Sequence, residues 1–251
     1  MLDSPLFPLL CASIFLLAGF AKGVIGMGLP TIAIGLMSLF VSPAMAAAIL
    51  ILPSVVTNIV QMLQGGAFKR LLRRLWPMMA GLCVGTWAGA GLLAGEGNPV
   101  AAIALGVALV AYALVGLCKV SFHAPARWEP VLSPLIGVAT GLITAGTGVF
   151  VIPAVPYLQA LGLEKDELVQ ALGISFTVST LALAVNLLRA DLLNPAIAWL
   201  ALAALAAALA GQYLGQKLRG RLDPATFRMW FFISMLALGV YLIVRRSMAL
   251  L

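Results

Sequence analysis

An all-α polytopic membrane protein is the fold class this sequence predicts, and three observations predict it. Of the 251 residues 63% are hydrophobic and 9% charged, with a mean hydropathy of +1.12. A soluble domain carries roughly a quarter charged residues to coat itself for water. Charges divide the chain into eight uncharged runs, at residues 4–21, 23–68, 75–95, 97–118, 130–163, 168–188, 192–216 and 229–244. A helix needs about 20 apolar residues to cross the hydrocarbon core. Alternating runs of about ten residues, the mark of a transmembrane barrel, are not seen. What remains between the runs is too short for a soluble domain, so one integral membrane unit is expected.

The net charge of +7 would point to nucleic acid in a soluble protein. Here the basic residues sit in short loops, where they orient the chain in the membrane, and no nucleic-acid role is expected. The lipid bilayer is the expected surrounding. The first apolar run has no basic segment before it and no small-residue cleavage site after it, and it is read as retained structure. Cys11, Cys83 and Cys118 lie inside apolar runs without CxxC spacing and are read as packing residues.

Internal similarity divides the chain into a first repeat over residues 1–120 and a second over 121–251. Gly26-Met27-Gly28-Leu29-Pro30 in one half answers Gly146-Thr147-Gly148, with Pro153 soon after, in the other. Gly19 and Gly23 precede the first break as Gly137 and Gly141 precede the second. Further on, Gly85 to Gly89 has its match in Gly211 to Gly215, and between these landmarks each half holds a run bearing hydroxyls and amides. Those are Ser54, Thr57, Asn58 and Gln61 in one, and Ser175, Thr177, Ser179, Thr180 and Asn186 in the other. Each half therefore reads as a glycine-broken first element and three ordinary helices, about eight segments in all. Proline and charge end helices, so cuts are expected at 42–43, 69–74, 96–99, 119–129, 164–167, 189–195 and 217–224.

Two topologies compete. If each broken element crosses fully, the Lys and Arg residues other than Lys22 divide nine to five between the two sides. If each dips in and returns, they divide eleven to three and the halves become antiparallel. The positive-inside rule favours the second, an inverted repeat of the kind secondary transporters use.

Enzyme signatures are missing. His123, the single histidine, is placed in a short loop, so no HExxH motif or histidine metal cluster can form, and no metal or cofactor is expected. Glu96, Asp191 and the 164–167 group sit at run ends, and no carboxylate pair lies within a run. Proton-coupled cation carriers place an Asp or Glu at the membrane midplane. A cation finds almost no fixed negative charge here, whereas an anion finds several favourable features.

Glycines at 23, 26 and 28 followed by Pro30 strain a regular helix, and unwound backbone at membrane depth survives only when buried in protein or lining a polar cavity. A helix restarting at Leu29 would aim unpaired N–H groups at such a cavity, as anion sites do, and Gly146, Gly148 and Pro153 could furnish a second such end. The alternative is that the glycines only let helices pack closely. Lys22 is the only charge between Asp3 and Lys69. It either pairs with an anionic substrate or snorkels to the interface. Around the breaks lie Thr31, Ser54, Thr57, Asn58, Thr144, Thr147, Ser175, Thr177, Ser179 and Gln212, donors for substrate oxygens or back-bonded helix residues. The candidate substrate-binding set is Lys22, Gly26, Gly28, Pro30, Thr31, Ser54, Asn58, Thr144, Gly146, Thr147, Gly148, Ser175 and Thr177.

Two segments carry a resemblance to a known family: FAKGVIGMGLP at residues 20–30, and GLITAGTGVFVIPAVPYLQALGLEKDELVQALG at 141–173. The second is the more specific, with its small-residue break, proline, Tyr-Leu pair and alanine-containing helix start. The chain resembles the TauE/SafE sulfite exporter family, also described as sulfonate uptake permeases, over nearly its whole length. The resemblance implies a multi-pass transporter of the bacterial inner membrane that moves sulfite, sulfonates or other small organic anions by alternating access. A metal or cation transporter, a non-transporting scaffold subunit and an intramembrane enzyme are the other classes weighed. The first lacks intramembrane carboxylates, and the last lacks a nucleophile–base pair. A homo-oligomer is compatible with the sequence.

Overall fold

The computed structural model describes residues 6–93, 99–118, 124–193 and 195–248. His123, Glu96 and Lys119 lie outside the described residues. The described residues are helical, with no strand among them: α1 (Leu6–Ile25), α2 (Leu29–Met37), α3 (Pro43–Leu63), α4 (Phe68–Ala88), α5 (Pro99–Leu117), α6 (Glu129–Thr147), α7 (Ala154–Ala160), α8 (Lys165–Arg189), α9 (Ala198–Leu218) and α10 (Pro224–Met248).

Seven of these helices, α1, α3, α5, α6, α8, α9 and α10, are long and apolar enough to cross a bilayer, one fewer than the eight segments expected. The difference is α4, which has ample length (21 residues) but carries Lys69, Arg70, Arg73 and Arg74 in its first two turns. The cut expected at 69–74 is displaced for the same reason. The chain turns instead through residues 64–67, with Gly65 at φ 117, and the cations form the start of α4. Other boundaries follow local chemistry. Ser42 caps α3 by accepting from the Met45 N–H at 3.2 Å, with Pro43 in the first turn. Asp223 caps α10, accepting from the Ala225 and Thr226 N–H groups ahead of Pro224's helix.

Both breaks are present. Gly26 (φ 77) and Gly28 (φ 108) end α1 and start α2, because only glycine holds such left-handed backbone without strain. Gly148 (φ 73) ends α6, its N–H donating to Thr144 O at 2.8 Å. A buried segment of residues 149–151 then leads through the cis Ile152–Pro153 bond to α7.

Small residues set the closest packing. A Cβ on Gly19 would run into the Ala208 carbonyl of α9, and one on Gly23 into that of Gln212, so α1 and α9 lie side by side in the same direction. The matching contact joins Gly81 and Gly85 of α4 to Pro134 and Val138 of α6, again in parallel. Glycine spacing thus serves close approach at these positions, and of the glycines around the first break it does so for Gly23, whereas Gly26 has open space beside it. In contrast, α3 runs antiparallel to α8, with Gln61 near Gly173 and Ser54 near Thr180. Antiparallel pairing also joins α5 to α10, where Gly106 meets Gly239 and Gly116 meets Phe232.

The exterior is apolar. Leu6, Leu63, Trp76, Leu135 and Trp230 are each at least 60% exposed, a surface suited to lipid and not to water. All five tryptophans are exposed: Trp128 just before α6, Trp199 at the start of α9, Trp87 at the end of α4, Trp230 in the second turn of α10 and Trp76 in the third turn of α4, behind its cations. Tryptophan favours the two membrane–water boundaries, and Trp87, Trp128 and Trp199 stand at helix ends, where those boundaries fall. Cys11, Cys83 and Cys118 are free thiols.

Candidate functional site

Lys22 sits in the last turn of α1, just before the first break, and only 4% of its surface is exposed. Its ammonium donates to Thr57 Oγ1 at 3.0 Å and to Asn58 Oδ1, both on α3. Both partners are neutral. The described ion pairs, Arg70–Glu167 and Arg74–Glu129, lie elsewhere, and no carboxylate among the described residues faces Lys22. Taking one charge out of water costs several kcal/mol, on the order that a paired anion can return.

The neutral partners are themselves locked in place. Asn58 Nδ2 donates to Ser54 Oγ at 3.0 Å and to Thr180 Oγ1 at 3.3 Å. Thr180 donates its own proton to Phe176 O at 2.7 Å, so it accepts from both Asn58 and Ser54, the latter at 3.0 Å. A hydroxyl has one proton, so the order of donation is fixed: Asn58 to Ser54, Ser54 to Thr180, Thr180 to backbone. The amide nitrogen being engaged on that side, the Asn58 oxygen must face Lys22. Thr57 likewise gives its proton to Pro53 O at 2.7 Å and accepts from the ammonium.

Gln61 ties this network to the break. Its Nε2 donates to Gly26 O at 3.0 Å and to Val169 O of α8 at 3.1 Å, replacing the helical partner that the unwound Gly26 carbonyl has lost. The Gly28 carbonyl is taken up by Thr31 Oγ1 and the Ile32 N–H, both at 3.0 Å. The first break is therefore polar, its Gly26 and Gly28 carbonyls are paired, and it adjoins a buried cation.

The second break differs. Val149, Phe150 and Val151 fill it and are fully buried, Phe150 lying 5.4 Å from the Phe176 ring. Gly148 meets Ile34 and Ala47, and Gly146 meets Leu92. Thr144 and Thr147 return their hydroxyls to the carbonyls of Thr140 and Ile143, as Thr177 does to Gly173. Ser175 Oγ is buried without a hydrogen-bond partner among the described residues.

Of the thirteen candidates, the structure brings Lys22, Ser54 and Asn58 into one network, with Gly26, Gly28, Pro30 and Thr31 forming the adjoining break. Thr144, Gly146, Thr147 and Gly148 belong to the apolar break, and Ser175 and Thr177 stand apart on α8. The network adds Thr57, Gln61 and Thr180 to that set. Gln61 had a sequence signal, since 54, 58 and 61 share one face of a helix at i, i+4 and i+7. Thr180 was legible only as one of the hydroxyls along its run, because its role depends on α8 lying antiparallel to α3.

Among known proteins, the family model described as "Sulfite exporter TauE/SafE" matches residues 11–242 of the chain. Neither a curated protein nor a solved structure matches it.

Proposed function

Because the chain belongs to the TauE/SafE sulfite exporter family of membrane transporters, we propose that it is a secondary carrier of a small anion: sulfite, an organosulfonate or another small organic anion. The observation that carries this reading is the buried Lys22 ammonium held by two neutral acceptors beside a glycine break. A fixed cation without a counter-ion inside the bundle draws in one negative charge and rejects positive ones. The substrate's oxygens would approach the ammonium through its remaining N–H, with the positive N-terminal end of α2 behind Gly28 adding to the field.

The same reading takes residues 1–120 and 121–251 as inverted repeats that exchange access by moving against each other. Its support is the pattern of partners: α1 lies along α9 as α6 lies along α4, while α3 meets α8 and α5 meets α10, each its own counterpart. Gln61 ties the end of α1 to the end of α3, so α1 and α2 lead out and back. On that plan eleven of the fourteen Lys and Arg other than Lys22 gather at one end, the end bearing Lys69 to Arg74. The positive-inside rule puts that end in the cytoplasm, and the membrane is then a bacterial inner membrane.

Reconstitution into liposomes tests the function. Vesicles preloaded with unlabelled sulfite should accumulate labelled sulfite by counterflow, and organosulfonates or small carboxylates should compete. Vesicles in which none of these three anion classes exchanges would contradict the assignment.

A further inference from the structure

We propose that the contact between α4 and α8 holds a monovalent cation of the sodium class at Thr86 and Asn186. In the anion carrier proposed above, on which this rests, it would be the coupling ion.

Two buried oxygens, one on each helix, lack partners among the described residues. Asn186 of α8 donates Nδ2 to the Thr86 carbonyl at 2.6 Å, and that orientation turns its Oδ1 the other way. This Oδ1 is buried and makes no hydrogen bond among the described residues. An amide oxygen has no proton to give, so it needs a donor or a cation. Thr86 Oγ1 is equally buried and equally without a partner. The other buried threonines described all return the hydroxyl to a backbone carbonyl, Thr31 to the one three residues back. Thr140, Thr144, Thr147, Thr177 and Thr180 all return the hydroxyl to the carbonyl four residues back. Thr86 does not, although Leu82 lies at that spacing on the same helix.

The surroundings favour positive charge. α4 ends at Ala88, and the Ala90 N–H bonds to Trp87 O, which releases the Thr86 carbonyl from the helix ladder. Carbonyls at a helix C-terminus form the negative end of its dipole, and such ends coordinate sodium ions in discontinuous carrier helices. The neighbouring end of α6, residues 141–147, carries no charge, and Arg189 one turn beyond Asn186 is exposed. Among the described residues no carboxylate contributes to the pair. Neutral oxygens without a carboxylate suit a monovalent ion, whereas divalent ions are held by carboxylates. The position also bridges α4 of the first half to α8 of the second, so any relative movement of the two would open or close it.

The test uses the full chain purified in detergent, its melting temperature followed in sodium, potassium and N-methylglucamine chlorides at equal ionic strength. Sodium should raise the melting temperature saturably where the other two do not. Thr86→Val should move the sodium midpoint upward by about tenfold, and Thr86→Ser should restore it. Equal melting temperatures in all three salts, or a wild-type sodium response in Thr86→Val, would overturn the proposal. If Thr86→Val does not fold, the three-salt comparison on the wild-type chain decides alone. Lys22→Gln should keep the sodium response while losing that to sulfite, so the cation site and the anion site fail separately.

Discussion

Asn58 turns its amide oxygen to the Lys22 ammonium because its nitrogen is held by Ser54 and Thr180. One asparagine thereby joins three helices, α1, α3 and α8, around a charge that no carboxylate among the described residues balances. Replacing it with aspartate would change one atom and supply the missing counter-ion. Asn58→Asp is expected to fold and to lose at least about tenfold in sulfite affinity, since an internal ion pair competes with the substrate. Titration of sulfite against the melting temperature of purified protein checks this. Affinity equal to the wild type would detach Asn58 from the site.

The glycine contacts make a paired prediction. Gly19→Val places its side chain against the Ala208 backbone and should cost about 1–3 kcal/mol of stability through overpacking. Gly66 has open space around the same position, so Gly66→Ala should leave stability within about 0.5 kcal/mol of wild type. Denaturation of the two variants in one detergent compares them directly, and equal losses would refute the close approach of α1 to α9.

Gln61 holds the unwound carbonyl of Gly26 from across the bundle. Gln61→Leu leaves that carbonyl and the one on Val169 without this donor, at a cost of about 1–3 kcal/mol. Faster hydrogen exchange should appear in residues 23–31, next to the break, before the rest of the chain. Exchange that rises evenly over all helices would mean Gln61 acts on stability in general and not on the break.

Asp223 gives a pH signature outside the spans. The Thr226 hydroxyl, and then the Ala225 and Thr226 N–H groups, hold its carboxyl below the usual carboxylate range. A carboxyl lowered on folding stabilises the folded chain above its unfolded value and loses that contribution as pH falls through the folded one. Melting temperature should therefore decline more steeply below about pH 4 in wild type than in Asp223→Ala. Parallel curves would show that the cap contributes nothing.

Much of the fold was legible because bilayer physics is severe: long uncharged runs became helices, and Pro43, Pro99 and Pro224 opened them as expected. The start of α4 was not. Cations usually mark a loop, but here Gly65 supplies the turn and Lys69 to Arg74 ride on the helix. The paired glycines were visible as close-packing signals, yet spacing along one helix cannot name the partner, and it is the fold that sets Gly19 against Ala208. In the site, Lys22, Ser54 and Asn58 could each be singled out. Their meeting could not, because it spans 35 and more residues and depends on α2 turning the chain back so that the end of α3 meets the end of α1. The two breaks look alike as glycine and proline. What separates them is Val149, Phe150 and Val151, which pack the second with apolar groups, while Gln61 and Lys22 make the first polar.

Calorimetric titration of sulfite into the purified chain and into Lys22→Gln probes the anion site most directly. A side chain of similar length without the charge should bind at least about tenfold more weakly, while the protein remains folded by its melting transition. Equal heats and equal affinity in both proteins would contradict the assignment of Lys22 to the substrate.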